Sequence, residues 1–334
     1  MRSVHSRTGT SPDIAPDPIS TNFAVVVRYQ YMKNVIIAML VIIVAAGGAY
    51  WWYTQHAARA PEAPAPAPVQ TTPPPVQATT TQAAPRSSSE EVIGKSVGGR
   101  DIAAYHFGTG SKEILFVGGI HGGYEWNTVL LADDLINYLT QNPDAVPAGE
   151  KVTVIPDMNP DGLAKVTDNA TSFTAADITA SQSTQVAGRY NGNGVDLNRN
   201  FACDWQAKGV WRSTPVSGGS AAFSEPESQA LEQYVQAHSI SAAVVYYSAA
   251  GGVFASNFHG CVLPQTQTLV STNGAASGYK QYESFDFYAI TGDAVNWLAK
   301  QNIPAISVLL TDHSGAEWDK NQKGIEAVLQ YYAQ

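Results

Sequence analysis

The chain has 334 residues, a formal net charge of −9, 44% apolar residues, 14% charged residues and two cysteines. Residues 1–90 hold six basic and four acidic residues, which leaves 13 and 24 for residues 91–334, a net charge of −11. A domain this acidic cannot neutralise many phosphates, which excludes sequence-independent binding of nucleic acid. Two cysteines exclude a thiolate zinc finger and a disulfide-dense mini-protein.

Residues 34–54 have the composition of a transmembrane anchor. Positions 35–53 carry no charge and would form a helix about 28 Å long, close to the thickness of the hydrocarbon core of a bilayer. Trp51, Trp52 and Tyr53 end this stretch as an aromatic belt. This ending favours a retained membrane anchor over a cleaved signal peptide, which would end in small residues.

The segments on either side of the span suggest its orientation. Residues 1–33 form a short tail in which Arg28 and Lys33 lie just before the span, a mild bias that predicts a cytoplasmic N-terminus. Residues 55–90 are rich in Pro, Ala and Thr and lack aromatic side chains. They predict a disordered linker, because such a segment cannot bury a core. Residues 91–334 would then form a domain outside the cytoplasm.

The domain alternates strand and helix patterns. Short apolar runs predict buried strands at 113–119, 152–156, 242–247 and 305–310. Helical spacing predicts helices at 126–139, 225–238, 291–301 and 319–332. Ser224 and Glu227 predict a capping box at the start of the second helix. The alternation predicts an α/β sandwich with a mostly parallel or mixed sheet. In such sheets ligands bind at the carboxyl ends of the strands.

Three motifs follow predicted strands. In GGIHGGYEWN, residues 118–127, a glycine-rich turn connects a predicted buried strand to a predicted helix. His121 and Glu125 in this turn are suitable zinc ligands. Without further evidence, a histidine and a glutamate four residues apart are more commonly a hydrogen-bonded pair on the surface.

The second motif, MNPDGL at 158–163, is a turn sequence. The third, GRYNGNGVDLNRNF at 188–201, contains Asn198 and Arg199, which could grip a carboxylate with a bidentate guanidinium. For an isolated Arg199 the alternative is a structural ion pair.

Three further motifs follow along the chain: FSEPES at 223–228, FYAITGDAVNW at 287–297 and ISVLLTDH at 306–313. Together with the first three, they appear in the order found in the zinc carboxypeptidase family. The chain resembles that family over most of residues 92–334. The resemblance implies a three-layer α/β/α sandwich on a mixed, largely eight-stranded sheet, here preceded by one transmembrane helix and a disordered linker. It also implies one zinc ion held by His, Glu and a second His, a metal-activated water, a glutamate general base and substrate-binding arginines.

The resemblance also implies roles for individual residues. These are metal binding by His121 and Glu125, substrate binding by Asn198 and Arg199, and catalysis by Arg189 and Tyr288. Glu125 lies one position further along than the family pattern places its glutamate, at Tyr124, so the turn must accommodate one extra residue.

Two positions depart from the family. Tyr247 stands where the second zinc histidine is expected, and Leu309 stands where the general-base glutamate is expected. A phenol is a poor zinc ligand, and leucine cannot accept a proton. His259 is a candidate for the missing zinc ligand, but its sequence context is more typical of a solvated loop histidine. Asp312 is a candidate for the missing base, but on an extended strand it would lie about 10 Å beyond the position of Leu309.

Two functions are therefore predicted. The first is a membrane-anchored, extracytoplasmic zinc metallocarboxypeptidase that acts on peptides or cell-wall peptides. The alternative is a catalytically inactive pseudoenzyme that binds peptide C-termini or wall fragments. A related amidase or deacylase is less favoured, because the GVDLNRNF motif is complete. Outside the cytoplasm, Cys203 and Cys261 are also predicted to form a disulfide.

Overall fold

The computed structural model describes residues 88–168, 172–259 and 262–334. The predicted tail, the membrane span at 35–53 and the linker up to residue 87 lie outside these residues, as does Cys261. Among the helices of the described residues, none combines the length and the apolar character needed to cross a bilayer.

An eight-stranded mixed sheet forms the centre of the domain. In the described residues the strands are β1 (Ser89–Lys95), β2 (Asp101–Gly108), β3 (Lys112–Val117), β4 (Glu150–Ile155), β5 (Lys208–Trp211), β6 (Thr214–Ser217), β7 (Ile240–Ser248), β8 (Gly252–Ala255), β9 (Lys280–Tyr282) and β10 (Ala305–Leu310). Their order in the sheet is β1-β2-β4-β3-β7-β10-β8-β9, and β5 and β6 form a separate hairpin. The four central strands, β4, β3, β7 and β10, run parallel to one another.

Helices cover both faces of this sheet. They are α1 (Trp126–Gln141), α2 (Pro160–Leu163), α3 (Gln182–Ala187), α4 (Pro226–Ala237), α5 (Pro264–Ser277), α6 (Ala294–Lys300) and α7 (Trp318–Tyr332). One hydrophobic core joins the sheet to α4 and α6, and a second joins its other face to α1, α5 and α7. Because both faces are covered, the central strands are apolar throughout rather than alternating. The predicted α/β fold on a mixed eight-stranded sheet is confirmed.

Local predictions at two helix starts were wrong. The capping box at Ser224 and Glu227 does not form, because α4 begins with Pro226 and the Glu227 carboxylate accepts hydrogen bonds from the backbone N–H of Val97 and from Asn191. Helix α6 begins at residue 294 rather than 291, since Asp293 caps it by accepting a hydrogen bond from the next turn.

Two cysteines were predicted to form a disulfide. Cys203 is buried with a free thiol, and burial raises its pKa to about 12. Its predicted partner, Cys261, lies outside the described residues.

Candidate functional site

A cavity lies where the central parallel strands end. Residues of the turn after β3 and of the ends of β7 and β10 line it. The sequence analysis assigned family roles or family positions to eight residues. Seven of them line this cavity: His121, Glu125, Arg189, Asn198, Tyr247, Tyr288 and Leu309. The eighth, Arg199, does not line it.

The turn between β3 and α1 brings His121 and Glu125 together. Gly122 has a φ of 41° and a Cβ there would lie 2.5 Å from the carbonyl oxygen of Asn159, so only glycine fits this tight turn. The turn accommodates the extra residue and places Nδ1 of His121 3.0 Å from Oε1 of Glu125. Nδ1 of His121 and Oε2 of Glu125 are buried without a hydrogen-bond partner.

Asp196 holds the other side of His121, a role that the sequence analysis missed. Its Oδ1 lies 3.2 Å from Nε2 of His121, and its Oδ2 accepts hydrogen bonds from Arg189 at 2.9 Å. Burial raises the pKa of Asp196, but the positive charges of Arg189 and His121 outweigh burial and hold that pKa far below its usual range. The available signal was its position in GVDLNRNF, two residues before Asn198.

Arg189 completes a ring of four buried polar side chains with His121, Glu125 and Asp196, which we call the ion ring. Its guanidinium bonds Asp196 and lies 4.0 Å from Oε1 of Glu125. Trp211 packs against it, with the ring centroid 4.6 Å from the guanidinium carbon. Arg189 thus forms an ion pair with Asp196 and lies at the edge of ion-pair distance from Glu125.

Tyr247 occupies the place expected for the second zinc histidine. Its ring centroid lies 5.7 Å from that of His121, and its hydroxyl donates a hydrogen bond to Oδ1 of Asn198 at 3.0 Å. Burial raises the pKa of Tyr247 well above its usual value, so the phenol is neutral. A neutral phenol that already donates to an amide is not a zinc ligand.

Leu309 forms an apolar part of the cavity wall, and neither considered replacement lies nearby. His259 is on the surface, where its Nε2 is 2.7 Å from Oδ1 of Asp204. The Asp312 carboxylate accepts hydrogen bonds from the backbone N–H and the hydroxyl of Ser314. Neither residue lines the cavity.

The predicted carboxylate-binding pair is divided. Asn198 lines the cavity, and its Oδ1 is held by Tyr247 and by the backbone N–H of Ala294. Arg199 is buried, and its nitrogens donate to the carbonyl oxygens of Asn198 and Val210. The ring of Tyr288, which lines the cavity, lies 6.0 Å from the Arg199 guanidinium carbon. A ligand in this cavity therefore meets Asn198 and Tyr288 rather than Arg199.

The donor set does not fit a catalytic zinc ion. Such an ion normally takes three protein ligands, and within the described ranges no three His, Cys, Asp or Glu side chains are grouped to hold a metal. His121 and Glu125 offer two unpartnered atoms. The third position holds the Tyr247 phenol, and the guanidinium of Arg189 lies beside the Glu125 carboxylate.

Comparison with known proteins identifies relatives of this fold. A family model described as zinc carboxypeptidase matches residues 77–314. Gamma-D-glutamyl-L-diamino acid endopeptidase 1 of Lysinibacillus sphaericus is 28% identical over 217 residues, which cover 59% of this chain and 54% of that protein. The chain thus spans about half the length of this curated relative.

Two solved structures share the fold at low sequence identity. Carboxypeptidase A from Helicoverpa armigera is 20% identical with a TM-score of 0.60, covering 75% of this chain and 69% of its own. Murein-tripeptide amidase MpaA from Escherichia coli O157 is 19% identical with a TM-score of 0.51, covering 72% of this chain and 90% of its own. At these identities the likeness concerns the fold alone.

Proposed function

This chain belongs to the zinc carboxypeptidase family, and we propose that it binds the C-terminal residues of peptides, cell-wall peptides in particular, without hydrolysing them at the rate of a zinc carboxypeptidase. One observation carries the proposal. The positions of a metal ligand and of the general base are occupied by Tyr247 and Leu309, and both side chains face the same cavity.

Either replacement alone would impair catalysis. A general base contributes typically about 10²–10⁴-fold to a rate, and leucine can neither accept a proton nor hold a water. Zinc supplies the activated water and polarises the carbonyl, but the site offers it only His121 and Glu125. The two losses together remove the chemistry of the family while they leave the cavity intact.

The capacity to bind a ligand is retained. The ion ring fixes one wall, because Asp196 pairs with Arg189 and Oε1 of Glu125 lies 3.0 Å from Nδ1 of His121. Asn198 and Tyr288 provide polar contacts, and aromatic side chains such as Trp211 and Phe285 complete the walls. The name of the Lysinibacillus sphaericus relative supports a wall peptide with a diamino acid as the ligand. A membrane span at residues 35–53 would hold the domain outside the cytoplasm, close to such peptides.

Hydrolysis is the second candidate function. It is favoured by the family and by two buried atoms without hydrogen-bond partners, Nδ1 of His121 and Oε2 of Glu125. This candidate needs a third ligand and a base from residues other than Tyr247 and Leu309.

One experiment separates the two candidates. The full-length protein is titrated calorimetrically with a γ-D-glutamyl-diamino acid peptide, with zinc and with a chelator, and the mixture is then examined by mass spectrometry. We expect saturable binding that the chelator does not change, and intact peptide afterwards. Chelator-sensitive release of the terminal residue would instead establish hydrolysis, and no binding under either condition would overturn both functions.

A further inference from the structure

A groove with aromatic walls adjoins the cavity. Trp211, Ser248, Tyr288 and Leu309 line both the cavity and the groove, so the two are continuous. The aromatic side chains that line this groove, which we call the aromatic groove, are Tyr124, Trp211, Phe285, Phe287 and Tyr288. If the cavity holds the last residue of a peptide, the aromatic groove is where the residue before the last would lie.

Arg212 carries the only charge among the described residues that line the aromatic groove. Its guanidinium carbon lies 5.5 Å from the centroid of the Trp211 ring. In the part of the chain that the structure describes, this guanidinium forms neither an ion pair nor a hydrogen bond. Arg189, by contrast, is paired with Asp196, and Arg199 donates to main-chain carbonyl oxygens. The positive charge of Arg212 is therefore available to a ligand.

The backbone at Arg212 is in a conformation that arginine rarely adopts. Trp211 and Thr214 are paired in the β5–β6 hairpin, which leaves Arg212 and Ser213 as a two-residue loop. Arg212 has a φ of 56°, in the left-handed region that asparagine and glycine adopt more readily in such loops. The turn itself does not require arginine, so the strain at this position points to a role for the side chain.

A guanidinium at the edge of an aromatic groove is suited to a carboxylate. It can donate parallel hydrogen bonds to both carboxylate oxygens, and a ligand that covers the groove excludes water, which strengthens the pairing. In an ordinary peptide the α-carboxyl group of the residue before the last is consumed by the peptide bond. In a γ-linked glutamate the bond uses the side-chain carboxyl group, so the α-carboxylate remains free.

We infer that Arg212 is a specificity-determining residue that binds a free carboxylate on the residue before the last of a bound peptide, the group that a γ-linked glutamate keeps. The inference rests on the proposed binding function and names the chemistry that the site recognises beyond the terminal residue. A γ-D-glutamyl-diamino acid peptide, the ligand expected from that function, contains this group.

The test compares N-acetyl-γ-D-glutamyl-L-lysine with the same peptide in which the α-carboxylate of the glutamate is a carboxamide. The two peptides have nearly the same shape and differ in one charge. Calorimetric titration of the full-length protein, with zinc and with a chelator, gives both affinities. We expect the wild type to bind the carboxylate peptide about fivefold or more tightly. Added salt should reduce this ratio, because an exposed guanidinium is screened.

Arg212→Asn removes the charge and suits the turn, because asparagine is favoured in two-residue hairpin loops. This variant should melt at the same temperature as the wild type or at a higher one. Its two affinities should become nearly equal, through weaker binding of the carboxylate peptide. Lys208→Gln is the matched control, since it removes an exposed cation from the same hairpin that does not line the groove. It should leave the ratio unchanged.

Two further peptides identify the carboxylate. In the α-linked isomer the free carboxylate is on the glutamate side chain. A loss of affinity in Arg212→Asn that is confined to the γ-linked peptide would assign Arg212 to that linkage, and equal losses would assign it to either carboxylate. The other peptide is amidated at its last residue. If Arg212→Asn abolished only the preference for a C-terminal carboxylate, Arg212 would bind the C-terminus and the inference would be overturned.

The inference fails in two further cases. Equal affinities of the wild type for the carboxylate and carboxamide peptides, or an unchanged ratio in Arg212→Asn, would refute the role of Arg212 and leave the binding function standing. Failure of the wild type to bind any of these peptides would refute the binding function itself, and the inference with it.

Discussion

Tyr247 and Leu309 are register partners on the adjacent parallel strands β7 and β10. Their side chains therefore point to the same side of the sheet, and both line the same cavity. The expected zinc ligand and the expected base are thus replaced at one place, by a phenol fixed to Asn198 and by a neighbouring isobutyl group. The pair forms a continuous wall where the family has its metal and its proton acceptor.

The hydroxyl of Tyr247 is predicted to stabilise the fold. Tyr247→Phe should lower the free energy of unfolding by about 1 kcal/mol, because Oδ1 of Asn198 would keep only the donor from Ala294. Urea unfolding measures this change. Tyr246→Phe is the control on the opposite face: its hydroxyl is buried without a partner, so its removal should cost nothing. Equal losses in both variants would contradict the role of the Tyr247–Asn198 bond.

The ion ring is predicted to behave as one unit. Arg189→Met leaves the charges of Asp196 and Glu125 buried without the guanidinium, which should cost about 3–5 kcal/mol of unfolding free energy. Adding Asp196→Asn to that variant should cost less than it does in the wild type, because the charge it removes is already unpaired. Denaturant unfolding of the two single variants and the double variant gives the coupling energy. Strictly additive losses would show that the two side chains are independent.

Glu317 is predicted to hold the segment after β10 in a pH-dependent way. Its carboxylate accepts hydrogen bonds from the backbone N–H and the hydroxyl of Thr311 and pairs with Lys320. Burial alone would raise the pKa of Glu317, but these partners outweigh it and lower that pKa from 4.5 to about 2. The stabilisation should be complete above pH 4.5 and should disappear as the pH falls towards 2.

Glu317→Gln should accordingly be less stable than the wild type at pH 7 and equally stable near pH 2, as measured by thermal melting across this range. The exposed Glu283 supplies the control, Glu283→Gln. A difference between Glu317→Gln and the wild type that stayed constant with pH would contradict the assigned partners.

The sequence predicted those parts of the fold that depend on local pattern. The buried central strands appear as uninterrupted apolar runs, and the structure has the strand at 305–310 as predicted. The edge strand β1 was missed because none of its seven residues is buried: five are exposed and two are half-buried, so the strand carries no apolar run. Tyr247 and Leu309 were located because they lie near the ends of apolar strands that lead to the site.

Long-range charge relations could not be predicted. Asp196 pairs with a histidine 75 residues earlier in the chain. Its position in GVDLNRNF marks Asp196 as a candidate, but it does not say which side chain Asp196 contacts. Arg199 was expected in the cavity, but the hairpin of β5 and β6 supplies the Val210 carbonyl that holds its guanidinium.

The central claim is tested most directly by measuring zinc content and peptide hydrolysis together. Full-length wild-type protein and the variant Tyr247→His/Leu309→Glu are equilibrated with zinc, dialysed, and assayed for bound metal and for release of a C-terminal residue. We expect the wild type to retain much less than one zinc ion per chain and to release no residue, whereas the variant retains about one zinc ion, because a third ligand completes the site. A wild-type protein that retains one zinc ion and releases the residue, with activity lost in Glu125→Ala, would contradict the account.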